Sequence, residues 1–214
     1  MKINLEILDS SYICAPIQIE ELNIKQLVPK MVTRRRLTRA AKIAIYLSDK
    51  VNFNSGRIIY GNNYGELQST ENILNSIKER EQISPTVFQN SVNNTAISYL
   101  SMITNNQNEI ITVSSGRNTS LNVLKAGAIK ALDGDTLLLL VTETLNIQKI
   151  EELNSCINFL ECGVALKVKL SNENATIKTN NIVNKEKFPP SIIHMLNIAE
   201  NTNKTTPNIV EISL

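Results

Sequence analysis

Tryptophan is absent from this chain of 214 residues, and aromatic side chains make up only 4% of it. Glycine and proline are sparse while asparagine and isoleucine abound, a bias that belongs to the coding sequence more than to function. The many Asn-X-Ser/Thr triplets are accordingly not read as glycosylation sites. Neither sign of charge is in excess: 22 basic against 20 acidic residues give no strong field, which argues against a dedicated nucleic-acid surface. The only histidine is His194, and Cys14, Cys156 and Cys162 form no CxxC pair, so zinc would need a carboxylate-rich ligand set and no metal is expected. Met1 to Leu8 is too short, and too interrupted by Lys2 and Glu6, to read as a secretory signal. A cytoplasmic protein with buried free thiols is therefore expected. No apolar run reaches the ~18 residues of a membrane span.

What is present is periodicity. Ile3, Leu5, Ile7, Ile13, Ile17 and Ile19 suggest one or two short strands. From Thr33, a candidate N-cap, Arg34-Arg35-Arg36-Leu37 to Leu47 reads as one amphipathic helix with Leu37, Ala40, Ala41, Ala44, Ile45 and Leu47 inward. Gly56–Tyr60 is a strand and Gly61–Gly65 a tight turn. Glu66–Arg80 is a helix with Leu67, Ile73, Leu74 and Ile77 inward, followed by a loop over 84–90 and a helix over 91–103. Ile110–Ser114 is a strand, Asn118–Leu132 a helix and Leu137–Val141 a fully apolar strand. Alternating strands and helices imply an α/β fold with a mainly parallel sheet. Residues 163–170 alternate as a further strand, with 175–179 a candidate hairpin partner. One domain over 1–183, with its core at about 30–170, is expected to precede a poorly ordered tail, 184–214, around a short helix holding His194.

The segment Ile110-Ile-Thr-Val-Ser-Ser-Gly-Arg-Asn118 is built like a nucleophile elbow: a strand runs through Ser114, Ser115, Gly116 and Arg117 into a helix, whose N-terminal amides favour an anion. An ordinary capped strand-to-helix turn gives the same pattern.

Four motifs in order give the chain its resemblance. They are Arg34-Arg-Arg-Leu-Thr-Arg39, Tyr60-Gly-Asn-Asn-Tyr-Gly-Glu66, Ser84-Pro-Thr-Val-Phe-Gln-Asn-Ser-Val-Asn-Asn-Thr-Ala96 and the Ser-Gly elbow. Together they resemble the β-ketoacyl synthase-like N-terminal domain family, which includes chain-length-factor-like partners in type II fatty acid, polyketide and aryl polyene synthesis. The resemblance implies a thiolase-like half-fold, a five-stranded mixed, mainly parallel sheet with helices on both faces, in which the 163–170 strand runs antiparallel. It also implies an acyl-accepting cysteine at or within a residue or two of Arg117. None lies there. A guanidinium is no nucleophile, Ser114 or Ser115 would need a positioned base, and the decarboxylation histidines of the family belong to a second half-fold. The expectation is a non-catalytic subunit that forms a homodimer or pairs with a complete ketosynthase. The alternatives are a small acyltransferase or thioesterase using Ser115 or a displaced cysteine such as Cys156, and a degenerate truncated synthase.

The resemblance further nominates Asn93 and Asn94 for acyl binding, although relatives often carry histidine where Asn93 stands and a helix-capping amide network is the alternative. Arg34, Arg35 and Arg36 are candidates for contact with an acyl carrier protein or its phosphopantetheine phosphate; a solvated charged face is the alternative. No cofactor of the chain's own is implied. Ile110–Ser114 is expected to be a sheet edge that pairs across a dimer. The helix 118–132, apolar nearly all round, needs cover from residues 1–30, the C-terminal segment or a partner.

Overall fold

The computed structural model describes residues 1–20, 22–147, 157–177, 187–203 and 207–214. Strand β1 (Lys2–Ala15) is a single strand of 14 residues instead of two short ones. Its register shifts between Ile7 and Asp9, a bulge that passes the face held by Ile3, Leu5 and Ile7 on to Ser10, Tyr12 and Cys14, where Tyr12 is exposed. That change of parity interrupts the alternation, so that the one strand reads as two short ones.

Two short helices, α1 (Ile24–Leu27) and α2 (Met31–Arg36), lead into α3 (Arg39–Lys50). The single helix expected from Thr33 is thus broken. Leu37 and Thr38 are extended, and Thr38 rather than Thr33 is the N-cap, its Oγ1 accepting from the Ala41 amide at 3.1 Å. Arg34, Arg35 and Arg36 consequently lie in the last turn of α2, where the helix dipole favours cations.

Strand β2 (Arg57–Gly61) is followed by α4 (Leu67–Glu79), α5 (Pro85–Asn90), α6 (Thr95–Thr104) and β3 (Ile110–Val113). The expected loop at 84–90 is therefore mostly helix, started by Pro85 in its first turn. Leu74 and Ile77 of α4 do not point inward: they are 61% and 58% exposed, and no residue of that helix is buried. A 3-10 turn, Gly116–Asn118, joins β3 to α7 (Thr119–Ala131), which leads to β4 (Leu137–Thr144) and β5 (Glu161–Ser171). The C-terminal segment is no loose tail. It forms a 3-10 turn (Pro190–Ile192), α8 (Ile193–Asn201) and a further strand, β6 (Asn208–Ser213).

The sheet order is β3-β2-β4-β5-β1-β6. Among the described residues it has six strands, one more than expected, because β6 pairs with the first half of β1. Strands β3, β2 and β4 are parallel, and β4, β5, β1 and β6 are joined antiparallel, as the resemblance implied for β5. Residue Ile177 bridges to Val210 of β6 instead of forming a hairpin with β5, and residues 178 and 179 lie outside the described part.

Two apolar layers flank the sheet. One gathers Leu47, Ile43, Ala44 and Tyr60 with Ile97 and Leu100, under α3 and α6; the other gathers Val123, Leu124, Ala128 and Ala131 of α7 with Ile192, Met195, Leu196 and Ile198. The C-terminal segment is therefore part of what covers α7. Helix α7 sits close on the sheet because Gly61 and Gly127 leave room for it. A Cβ at Gly61 would stand 2.6 Å from Val123 Cγ2 and 2.9 Å from Thr119 Cγ2. Gly61→Ala is expected to cost about 1–3 kcal/mol by overpacking, read as a lower urea midpoint at unchanged slope.

Candidate functional site

The carboxyl ends of parallel strands are where open α/β sheets place their sites, and the ends of β2, β3 and β4 converge on the elbow. Gly116 adopts φ +59°, a left-handed backbone that glycine takes without strain, and nothing lies within 4 Å of the space above it. Thr119 holds the turn from below. Its Oγ1 accepts from the Ser115 amide at 3.0 Å and donates to the Gly116 carbonyl at 2.8 Å. Ser114 to Asn118 are all exposed.

The elbow has its geometry but no activated nucleophile among the described residues. Ser115 Oγ accepts from Asn122 Nδ2 at 2.7 Å, and Ser114 Oγ donates, at 3.4 Å, only to the Asn63 carbonyl. Neither meets a carboxylate or an imidazole. His194 belongs to the first turn of α8 rather than to a loose tail, yet its link to α7 is its backbone amide on Ser120 Oγ at 3.3 Å. Its half-buried imidazole is pushed below the usual histidine range by desolvation. Arg117 has no hydrogen bond or ion pair among the described residues. Cys156 lies outside the described residues. Cys162 is buried, and burial pushes its thiol far up.

Behind the elbow is a layer of buried polar groups that composition and spacing did not reveal. Glu143, 1% exposed, accepts from the amide of Asn63 at 2.7 Å and from Ser191 Oγ at 2.6 Å, tying the loop after β2 to the turn before α8. Tyr60 and Thr142 share a hydroxyl hydrogen bond of 2.6 Å, and Asn62 Nδ2 donates to the Tyr60 hydroxyl and to the Asn93 carbonyl. Asn93 thus enters the network through its backbone. Asn94 occupies the N-cap position of α6, but its side chain caps nothing. Glu66, at the start of α4, accepts from Thr38 Oγ1 at 2.7 Å. Glu161, 1% exposed at the start of β5, is clasped by Arg39 through 2.8 and 2.6 Å bonds and accepts from the Ile19 amide at 2.8 Å.

Burial raises Glu66 and Glu143 to about 7, against the hydrogen bonds they accept. Both are protonated in the folded chain over a range where the unfolded chain has released the proton. Stability is therefore expected to fall as pH rises from about 4.5 to 7 and then to level off, by up to about 1.4 kcal/mol per pH unit per group. Urea midpoints at pH 5, 6, 7 and 8 measure this, and Glu143→Gln should flatten the profile.

The arginine run divides. Arg34 Nη1 donates to the carbonyls of Val28 and Pro29 at 2.8 and 2.5 Å, so it serves the turn between α1 and α2. Arg35 and Arg36 are exposed, make no hydrogen bond or ion pair among the described residues, and line a cavity of about 270 Å³ with Glu66, Asn72, Asn90 and Glu161. The structure thus brings Arg35 and Arg36 to a polar cavity, and places Ser115, Gly116 and Arg117 on a separate exposed turn. Asn93 and Asn94 lie between α5 and α6, where Asn93 meets the loop after β2.

The family model for the N-terminal domain of β-ketoacyl synthases matches residues 12–206. A chain in the complex of the ketosynthase ApeO with its chain length factor ApeC, from Xenorhabdus doucetiae, is similar at a TM-score of 0.68 and 20% identity. The match covers 91% of this chain and 92% of that one. The ishigamide ketosynthase/chain length factor is similar at a TM-score of 0.57 and 14% identity, over 72% of this chain and 49% of that one. A type II polyketide ketosynthase–carrier complex, AntDE:AntF, follows at 0.61 and 12%, over 79% and 64%. No curated protein matches the sequence. No helix among the described residues is long and apolar enough to cross a membrane.

Proposed function

We propose, from the premise that this chain belongs to the β-ketoacyl synthase N-terminal domain family, that it is a non-catalytic, chain-length-factor-like subunit. Its partner would be a complete ketosynthase of type II fatty acid, polyketide or aryl polyene synthesis. The observation that carries this reading is the elbow. Its turn is intact, yet Arg117 stands in the nucleophile region and the Ser115 hydroxyl is held by an amide instead of a base. Attack on a thioester needs a thiolate or an activated hydroxyl, and the turn offers neither.

Size and surface support the same reading. A chain of about the same length takes part in the Xenorhabdus ketosynthase–chain length factor complex, since the match covers 91% of this chain and 92% of that one. Strand β3 is a sheet edge whose four residues are all half-buried, an edge that invites a strand from a partner. Helices α4 and α5, which pack on each other, expose Leu74, Ile77 and Phe88, apolar side chains that a partner subunit would cover. Arg35 and Arg36 are the proposed contact for the acidic surface of an acyl carrier protein, whose phosphopantetheine would be the partner's cargo and not a cofactor of this chain.

Co-expression with the complete ketosynthase encoded nearest to it tests the assignment. A stable heterodimer that takes acyl label from acyl-carrier thioesters on the partner alone, read by intact mass, is the expected result. An acyl adduct on this chain that Ser115→Ala or Cys156→Ala removes would overturn it in favour of an acyltransferase or thioesterase.

A further inference from the structure

Cys14 and Cys162 stand directly opposite each other on antiparallel strands β1 and β5. Parity sets how they meet. Leu145 donates to the Leu160 carbonyl at 2.7 Å, and the β4–β5 register continues through Glu143↔Cys162, so Cys162 exchanges its backbone hydrogen bonds with β4. Toward β1 it therefore faces Cys14 as a non-hydrogen-bonded pair. In such pairs the Cα atoms come to about 4.5 Å and the side chains are at their closest, inside the range a disulfide spans.

Both side chains lie on one face of the sheet. Cys162 is fully buried in the layer under α7 and α8, and Cys14 packs against that layer while staying partly exposed. The Cys162 thiol donates to the Phe159 carbonyl at 3.7 Å, and burial, with the neighbouring Cys14 adding to it, holds its proton on. A pair in this relation meets the Cα spacing that a disulfide requires.

We propose that Cys14 and Cys162 are a redox-sensitive pair that closes to a cross-strand disulfide when the protein meets a low-molecular-weight disulfide. Cys14, the exposed member, attacks one sulfur of the small disulfide as its thiolate. A mixed disulfide forms and one small thiolate leaves. Cys162 then gives up its proton and attacks the Cys14 sulfur, forming the intramolecular bond and releasing the second small thiol. The protein loses two electrons and two protons, and the small disulfide is reduced by the same amount. The high proton affinity of Cys162 makes the second step the slow one.

The bond would fasten the end of β1 to the start of β5. Glu161 is next to Cys162 and Glu143 is opposite it, so the clamp lies within the polar layer behind the elbow. It closes the chain between residues 14 and 162, and restricting so long a loop in the unfolded state raises the melting temperature.

The test uses the purified full-length chain, reduced and then incubated with glutathione disulfide at neutral pH. The expected product, after alkylation in denaturant, has lost two hydrogens and keeps one alkylatable thiol of the three. Proteolysis should yield a linked Cys14–Cys162 peptide, and the oxidised form should melt at higher temperature. Cys156→Ser should leave the reaction unchanged, whereas Cys14→Ser should abolish it. Arrest of Cys156→Ser at a stable glutathione adduct overturns the proposal, as does a linkage that involves Cys156. Unfolding the same variant in urea before oxidation supplies the control, because the linked peptide should then form more slowly than in the folded chain.

Discussion

Replacing Leu74 and Ile77 together by aspartate is expected to weaken binding to a complete ketosynthase by about 100-fold, with the melting temperature of the isolated chain unchanged. The two side chains are three residues apart on α4 and so share one face of the helix. At 61% and 58% exposed they contribute almost nothing to the monomer's core. Each is already partly covered, so covering the rest on a partner is worth roughly 1–2 kcal/mol, and losing both removes about 2–4 kcal/mol, on the order of 100-fold in Kd. Aspartate also carries a charge that the interface would have to desolvate. Titration calorimetry and size-exclusion chromatography of the co-purified pair read the result. Glu71→Ser on the same helix is the matched control. Undiminished association of the doubly substituted chain would remove α4 from the interface, and would leave the β3 edge to carry pairing alone.

The exposure of α4 also marks a limit of what periodicity reveals. The spacing of Leu67, Ile73, Leu74 and Ile77 announces an apolar face, and the helix forms where that spacing places it. Periodicity is silent about whether such a face meets the same chain or another. The same holds at α2 and α3, where helix-forming residues run from Met31 to Lys50 without glycine or proline. The break at Leu37–Thr38 follows from tertiary demand: Thr38 caps α3 and hydrogen-bonds Glu66, and Arg39 turns to clasp Glu161. The arginine run was legible as a cluster, but its orientation on the dipole was inverted because the boundary fell after it.

The elbow and the alternating strands and helices were legible because each depends on local signals, whereas the antiparallel course of β5 came only from the family resemblance. Strand β6 was not legible, since Ile209, Val210 and Ile212 follow a stretch rich in asparagine, threonine and lysine that reads as solvated chain. The buried acids were the larger omission. Glu66, Glu143 and Glu161 are far apart in sequence and belong to no motif beyond the presence of Glu66 in one. Only the sheet order brings them to the same end of the molecule. A carboxylate in the continuous apolar surroundings of β4, as Glu143 is, offered the one available hint, because such a group is seldom buried without a partner.

Of these acids, Glu161 should yield the largest stability effect. Arg39→Met is expected to destabilise the chain by about 3–5 kcal/mol, because it leaves a carboxylate that is 1% exposed without its counter-ion. The Ile19 amide would remain as a donor, but a single neutral donor does not replace a bidentate guanidinium. The double substitution Arg39→Met with Glu161→Leu should recover most of the loss, since removing both charges also removes the desolvation cost that their pairing offsets. Chemical denaturation of the two variants at pH 7 measures the difference. Equal losses in the single and double variants would mean that the pair acts mainly through packing of the arginine stem. A small loss in both would mean that water reaches Glu161 when Arg39 is gone. Arg39 and Glu161 both line the cavity beside Arg35 and Arg36, so the same variants ask whether that cavity keeps its form when the clasp is opened.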